Sequence, residues 1–130
     1  MNLLDENIIE DQRELLVRWR IRTRQIGQDV GQQGMKDHEH LLPLLHKLSR
    51  PTFFTRDLGF YNRQLCHDRY CVVCLAVHQY EVARFMRRLL RHSRCNTWSK
   101  RQGTMMRVSH AGIRRFRLNY DGEELLEWES

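Results

Sequence analysis

Two aspartates stand where a sheet could bring them together. Pro51 to Tyr61 reads PTFFTRDLGFY. Thr52, Phe53, Phe54 and Thr55 are the β-branched and aromatic types that suit a buried, pleated strand. Pro51 can begin such a strand, and Gly59 allows a turn after Arg56 and Asp57. The strand thus delivers Asp57 to its C-terminal end, where open α/β sheets bind ligands. Residues 1–4, a short apolar run, are followed at once by Asp5, Glu6 and Asn7 in the same way. If the two strands are parallel neighbours, two carboxylates meet, which is unfavourable without a proton or cation between them. Oxygen ligands of this kind suit a hard divalent ion, Mg²⁺ or Mn²⁺. Taken alone, Asp57 reads equally well as a residue that caps a loop.

The elements that would hold these acids alternate between strand and helix patterns. Strands are expected over 1–4, 21–26, 52–56 and 70–77. The last, YCVVCLAV, is continuously apolar, as in a parallel strand buried on both faces. Helices are expected over 8–20, 37–48 and 79–92, where apolar residues recur at helical spacing. Asp37 opens the second helix, with Glu39 in its first turn. Residues 57–69 and 93–103 read as loops. A hairpin is expected from 104–109 and 113–118, and 121–130 as an acidic tail or short helix. With the first and third strands adjacent and the second outside them, Asp5 and Asp57 meet at a reversal of strand order. The helix start at Asp37 then lies near the same edge.

LLDEN at the N-terminus, GMKDHEHLLPLL in the middle and TFFTRDLGFY together resemble the PIN-like domain, the nuclease fold of VapC-type toxins, in a short branch of that superfamily. The resemblance covers roughly residues 1–80, and Thr55-Arg56-Asp57 with Phe60 is its most specific part. It implies a three-layer α/β domain with a mainly parallel central sheet, here with a C-terminal β-hairpin extension, over residues 1–120. It implies a Mg²⁺- or Mn²⁺-dependent endoribonuclease held by an antitoxin partner, and it admits a homodimer. Asp5, Asp37 and Asp57 match the acids of the family, with Thr55 and Arg56 in support. The family's further acid, a Glu on a helical insertion, has no counterpart here; Glu6 or Glu39 could substitute from other positions. That departure leaves a catalytically inactive RNA-binding or protein-interaction module as the alternative.

The net charge of +6 is unevenly placed. Between Val82 and Tyr120 there is no Asp or Glu, yet half of the chain's 22 basic residues lie there. Such segregation suggests a face for a polyanion. The residues expected to hold an RNA backbone are Arg84, Arg87, Arg88, Arg91, Lys100, Arg101, Arg115 and Arg117, the last two sharing one face of the hairpin. A solvated basic surface is the plainer reading of the same run. A DNA-binding regulator using the hairpin ranks last, because no helix-turn-helix pattern is present.

No apolar run approaches a membrane span, and acids interrupt the N-terminus where a signal peptide would be apolar. A cytoplasmic protein is expected, with free thiols rather than disulfides. Cys66, Cys71 and Cys74 beside His67 suggest zinc, but Cys71 and Cys74 fall on a strand, where residues three apart point to opposite faces. They are expected in the core. His38, His40 and His46 are expected on the polar face of the second helix.

Overall fold

A computed structural model gives the fold, with residues 1–34 and 38–129 described. Seven strands form one sheet in the order β2-β1-β3-β4-β5-β6-β7. They are β1 (Asn2–Leu4), β2 (Arg24–Gln25), β3 (Thr52–Thr55), β4 (Cys71–Leu75), β5 (Thr104–Ser109), β6 (Gly112–Arg117) and β7 (Glu124–Leu126). The first five are parallel, and the β5–β6 and β6–β7 pairs are antiparallel. The helices are α1 (Glu10–Arg18), α2 (His38–Lys47), α3 (Val82–Arg91) and α4 (Trp98–Arg101). This is an α/β fold of three layers, mainly parallel at its centre. Among the described residues no helix is long and apolar enough to cross a membrane.

The layers follow from the two-residue period of the strands. Leu4, Phe54, Val73 and Met106 face one core with Leu16 of α1 and Phe85, Met86 and Leu89 of α3. Leu3, Phe53, Val72 and Met105 face the other, with Leu41 and Leu45 of α2. Phe53 and Phe54 are fully buried on opposite faces, each contributing about 1.5–3 kcal/mol. From β1 the chain steps outward to β2 through α1, then returns through α2 to β3. Crossovers of one hand place these helices on opposite faces because the steps run in opposite directions.

The chain departs from its sequence reading in three places. The second strand is only two residues long, because Arg20 ends α1 in a left-handed conformation (φ 60°) and residues 21–23 run on as irregular chain. A short helix, α4, interrupts the loop expected over 93–103. The acidic segment expected as a tail or helix forms β7 instead. Gly112 permits this: a side chain there would meet the Leu126 carbonyl oxygen at 2.6 Å. Cys71 and Cys74 do face opposite cores, and both are buried.

Candidate functional site

The strand order reverses between β1 and β3, and both strands end there in acids. Parallel pairing sets Leu4 beside Phe54, and the Asp5 N–H continues the ladder to the Phe54 carbonyl at 3.0 Å. Asp5 and Thr55 therefore sit side by side. The Asp57 N–H donates to Thr55 Oγ1 at 3.0 Å, and that hydroxyl donates to Asp5 Oδ2 at 2.7 Å. This chain of bonds fixes which way the hydroxyl points. It leaves Asp5 Oδ1 buried with no hydrogen-bond partner among the described residues. Asp57 Oδ1 accepts from the Gly59 N–H at 2.9 Å, capping a 3₁₀ turn, so the loop-capping reading of Asp57 also holds.

Asp5 is only 7 % exposed. Burial holds its carboxyl above the ordinary value and the Glu6 and Asp57 charges add to this, while hydrogen bonds from the Thr55 hydroxyl and the Glu6 backbone oppose it. A buried polar atom without a partner is costly. One next to like charges is the arrangement a cation relieves.

Gln25 was not singled out in the sequence, yet it holds the turn that carries Asp5. Its buried amide donates to the Ile8 carbonyl at 2.9 Å and the Asp5 carbonyl at 3.2 Å. An isolated glutamine on a short edge strand gives no sequence signal of this role. Glu6 turns away, both its oxygens accepting from the Gly34 N–H at 3.0 Å. Arg56 braces the β3 end by donating from Nε to the Val77 carbonyl at 3.0 Å. Asp37 lies outside the described residues. Glu39 is exposed in the first turn of α2. Among the described residues no three His, Cys, Asp or Glu side chains form a metal-sized group.

Moving across the same edge, register aligns Thr55 with Cys74, Cys74 with Arg107, and Arg107 with Arg114. Arg107 shares a face with Met105, and Arg114 with Phe116, on the side of the sheet that α2 covers further up. Both are exposed. Arg114 pairs with Glu123 at 3.4 Å, and Glu123 in turn accepts from the Tyr61 hydroxyl at 2.6 Å. The Arg107 side chain has neither a hydrogen bond nor an ion pair among the described residues. It stands two strand spacings from the β3 end, about 10 Å. Between them the Cys74 thiol is pushed up to about 12 by burial and by the Asp57 charge. It stays a thiol at neutral pH and is no nucleophile.

The expected RNA-binding residues are scattered by comparison. Arg84, Arg87, Arg88 and Arg91 ride on α3, over the opposite face of the sheet from Arg107. There Arg84 pairs with Glu81, while the Arg87 and Arg88 guanidinium groups lie over Trp19 and Trp128. Lys100 Nζ donates to the Ser93 carbonyl at 2.7 Å. Arg101 and Arg115 are buried. Arg115 pairs with Glu124 at 3.2 Å, and Arg117 pairs with the same carboxylate. The acidic strand β7 thus neutralises much of the basic hairpin from within the fold.

The chain matches no protein-family model, no curated protein and no solved structure. The resemblance to the PIN-like domain rests on the sequence motifs alone.

Proposed function

We propose that the chain is a PIN-like, Mg²⁺- or Mn²⁺-dependent ribonuclease, held in the cell by an antitoxin partner. The observation that carries this reading is the unpartnered, buried Asp5 Oδ1 beside Asp57 at the reversal of strand order. Mg²⁺ needs few protein ligands, one or two carboxylates with the rest supplied by water and phosphate. Asp5 and Asp57 fit that requirement. When bound, the ion would lower the pKa of a water and neutralise phosphate charge.

The chain's own residues supply the rest. Thr55 orients the Asp5 carboxylate, and Gln25 fixes the turn beneath it. Arg107, unpaired on the same edge, holds a backbone phosphate of the RNA next to the one at the acids. Such a contact is electrostatic and carries no base sequence. The choice of RNA comes from the family resemblance.

A 5′-labelled RNA incubated with the protein and Mg²⁺ or Mn²⁺ tests the proposal. Cleavage is expected, to be abolished by EDTA and to fall by about 10²–10³-fold in Asp57→Asn. Cleavage by Asp57→Asn at the unmutated rate would place the chemistry elsewhere. The second reading, an inactive RNA-binding or interaction module, draws on Glu6 being tied to Gly34 and on the absence of a third acid among the described residues. It predicts RNA binding that is indifferent to EDTA and no cleavage with either metal.

A further inference from the structure

The N-terminal end of the sheet carries a second buried charge without a counter-charge. Arg101 is 9 % exposed at the end of α4. Its Nε donates to Thr52 Oγ1 at 3.1 Å and its Nη1 to the Cys95 carbonyl at 2.8 Å. Both acceptors are neutral, and Arg101 makes no ion pair among the described residues. Buried arginines are rarely left so, because desolvation is offset only by an anion and good hydrogen bonds. Among the described residues its Nη2 makes no hydrogen bond.

Arg101 lines an open cavity of about 750 Å³, within the range of small-molecule sites. Arg20, Arg22 and Arg24 line it too, and among the described residues no Asp or Glu does. Val17, 67 % exposed, and Ile21 give it an apolar wall. The cationic side is held in place from the backbone. Asn2 Nδ2 donates to the Arg22 carbonyl at 3.1 Å. Arg20 occupies the left-handed position that ends α1, with its N–H bonded to the Val17 carbonyl at 3.0 Å. Glycine is the usual residue there.

We infer that this cavity binds a phosphate monoester with an apolar or aromatic body, of the size of a mononucleotide. Guanidinium forks match phosphate oxygens in pairs, and a dianion answers several of them at once. The Val17–Ile21 wall takes the body of the ligand. The site is at the opposite end of the strands from Asp5 and Asp57, so it stands independently of the nuclease reading.

Calorimetric titration of the full chain with adenosine 5′-monophosphate, adenosine and inorganic phosphate, each separately, tests the inference. The nucleotide is expected to bind at least about ten-fold tighter than either half. The Arg22→Ala, Arg24→Ala double variant alters exposed side chains and is expected to weaken that binding about ten-fold or more, with the melting temperature unchanged. Arg107→Ala, at the other end, is expected to leave it intact. Arg101→Lys extends the test to the buried group, and if that variant fails to fold the double variant still decides. No heat with millimolar nucleotide, or binding indifferent to the double variant, would overturn the inference. So would tighter competition by a short RNA without a terminal phosphate, which would make the cavity part of a track for polynucleotide backbone.

Discussion

The two ends of the sheet hold opposite buried charges, and they are not equivalent. At the C-terminal end Asp5 is buried with one carboxylate oxygen unpartnered. At the N-terminal end Arg101 is buried against neutral acceptors only. A carboxylate can escape its difficulty by taking up a proton, and Asp5 is biased that way. A guanidinium cannot release one in a protein. The acidic end can therefore wait for a cation, whereas the basic end stays charged and benefits from an anion at any pH. A third buried charge, Arg115, shows the ordinary solution: Glu124 on the neighbouring strand answers it directly. The contrast separates charges that the fold neutralises itself from charges that it leaves for something else.

The acidic end gives the largest expected effect. Asp57→Asn keeps the Gly59 N–H bond of the turn but removes one charge of the proposed metal site, and single-turnover cleavage should fall by about 10²–10³-fold, the scale of losing a major electrostatic group at a reacting phosphate. RNA affinity measured in EDTA should hold or rise, since one negative charge near the backbone is lost. Breaking the internally neutralised pair should instead act on stability alone. Glu124→Ala leaves Arg115 buried and unpaired, at a cost of about 3 kcal/mol in urea unfolding. Although burial alone would raise it, Arg115 and Arg117 hold the Glu124 carboxyl below its ordinary 4.5. The stability it gives is thus present above pH 4.5 and is lost as pH falls through the lower folded value. A variant that unfolds at the wild-type urea midpoint would show that the pair contributes nothing.

How much of this could be read from the chain depended on whether the deciding contact was local. Asp5 and Asp57 were legible because each follows an apolar strand, and adjacency of two strand ends needs only a short list of topologies. The hairpin was legible from alternation, but which of its faces was free was not. Arg115 and Arg117 look like a basic face until Glu124 arrives on β7, and residues 121–130 have a composition that fits a helix as well. What decides for a strand is the space at Gly112, opposite Leu126, a contact invisible in composition. Arg101 reads as one more surface cation in a basic run, and only the packing of α4 on Thr52 buries it. Gln25 and Arg107 gave no motif because their roles come from register across neighbouring strands.

Asp5 itself sharpens the comparison through pH. Its folded carboxyl lies above the ordinary 3.8 through burial and the neighbouring charges. The sign is opposite to that of Glu124. The stability it contributes is fully present below pH 3.8 and is lost as pH rises through the folded value. As pH rises from 3.8 through the folded value, the unmutated chain should therefore lose stability relative to Asp5→Asn, whose amide oxygen can still accept from Thr55. Added Mg²⁺ at pH 7 should narrow that difference by stabilising the unmutated chain alone. Parallel pH–stability curves for the two chains, with and without Mg²⁺, would show that Asp5 is not the strained acid described here.

The smallest expected effect lies at the basic end. Arg20 sits at φ 60°, where a side chain costs about 1 kcal/mol that glycine avoids. Its N–H bond to the Val17 carbonyl belongs to the backbone and survives substitution. Arg20→Gly should therefore raise the unfolding free energy by up to about 1 kcal/mol, reduced by the extra freedom that glycine gives the unfolded chain. The same change removes one of four arginines from the cavity, so nucleotide binding should weaken while stability improves. A helix terminus shaped only for folding would gain stability and lose nothing. The two readouts together, urea unfolding and nucleotide titration on one variant, thus distinguish an arginine kept at a strained position for a ligand from one tolerated there by chance. Improved stability with unchanged nucleotide affinity would remove Arg20 from the site and leave its anion contacts to Arg22, Arg24 and Arg101.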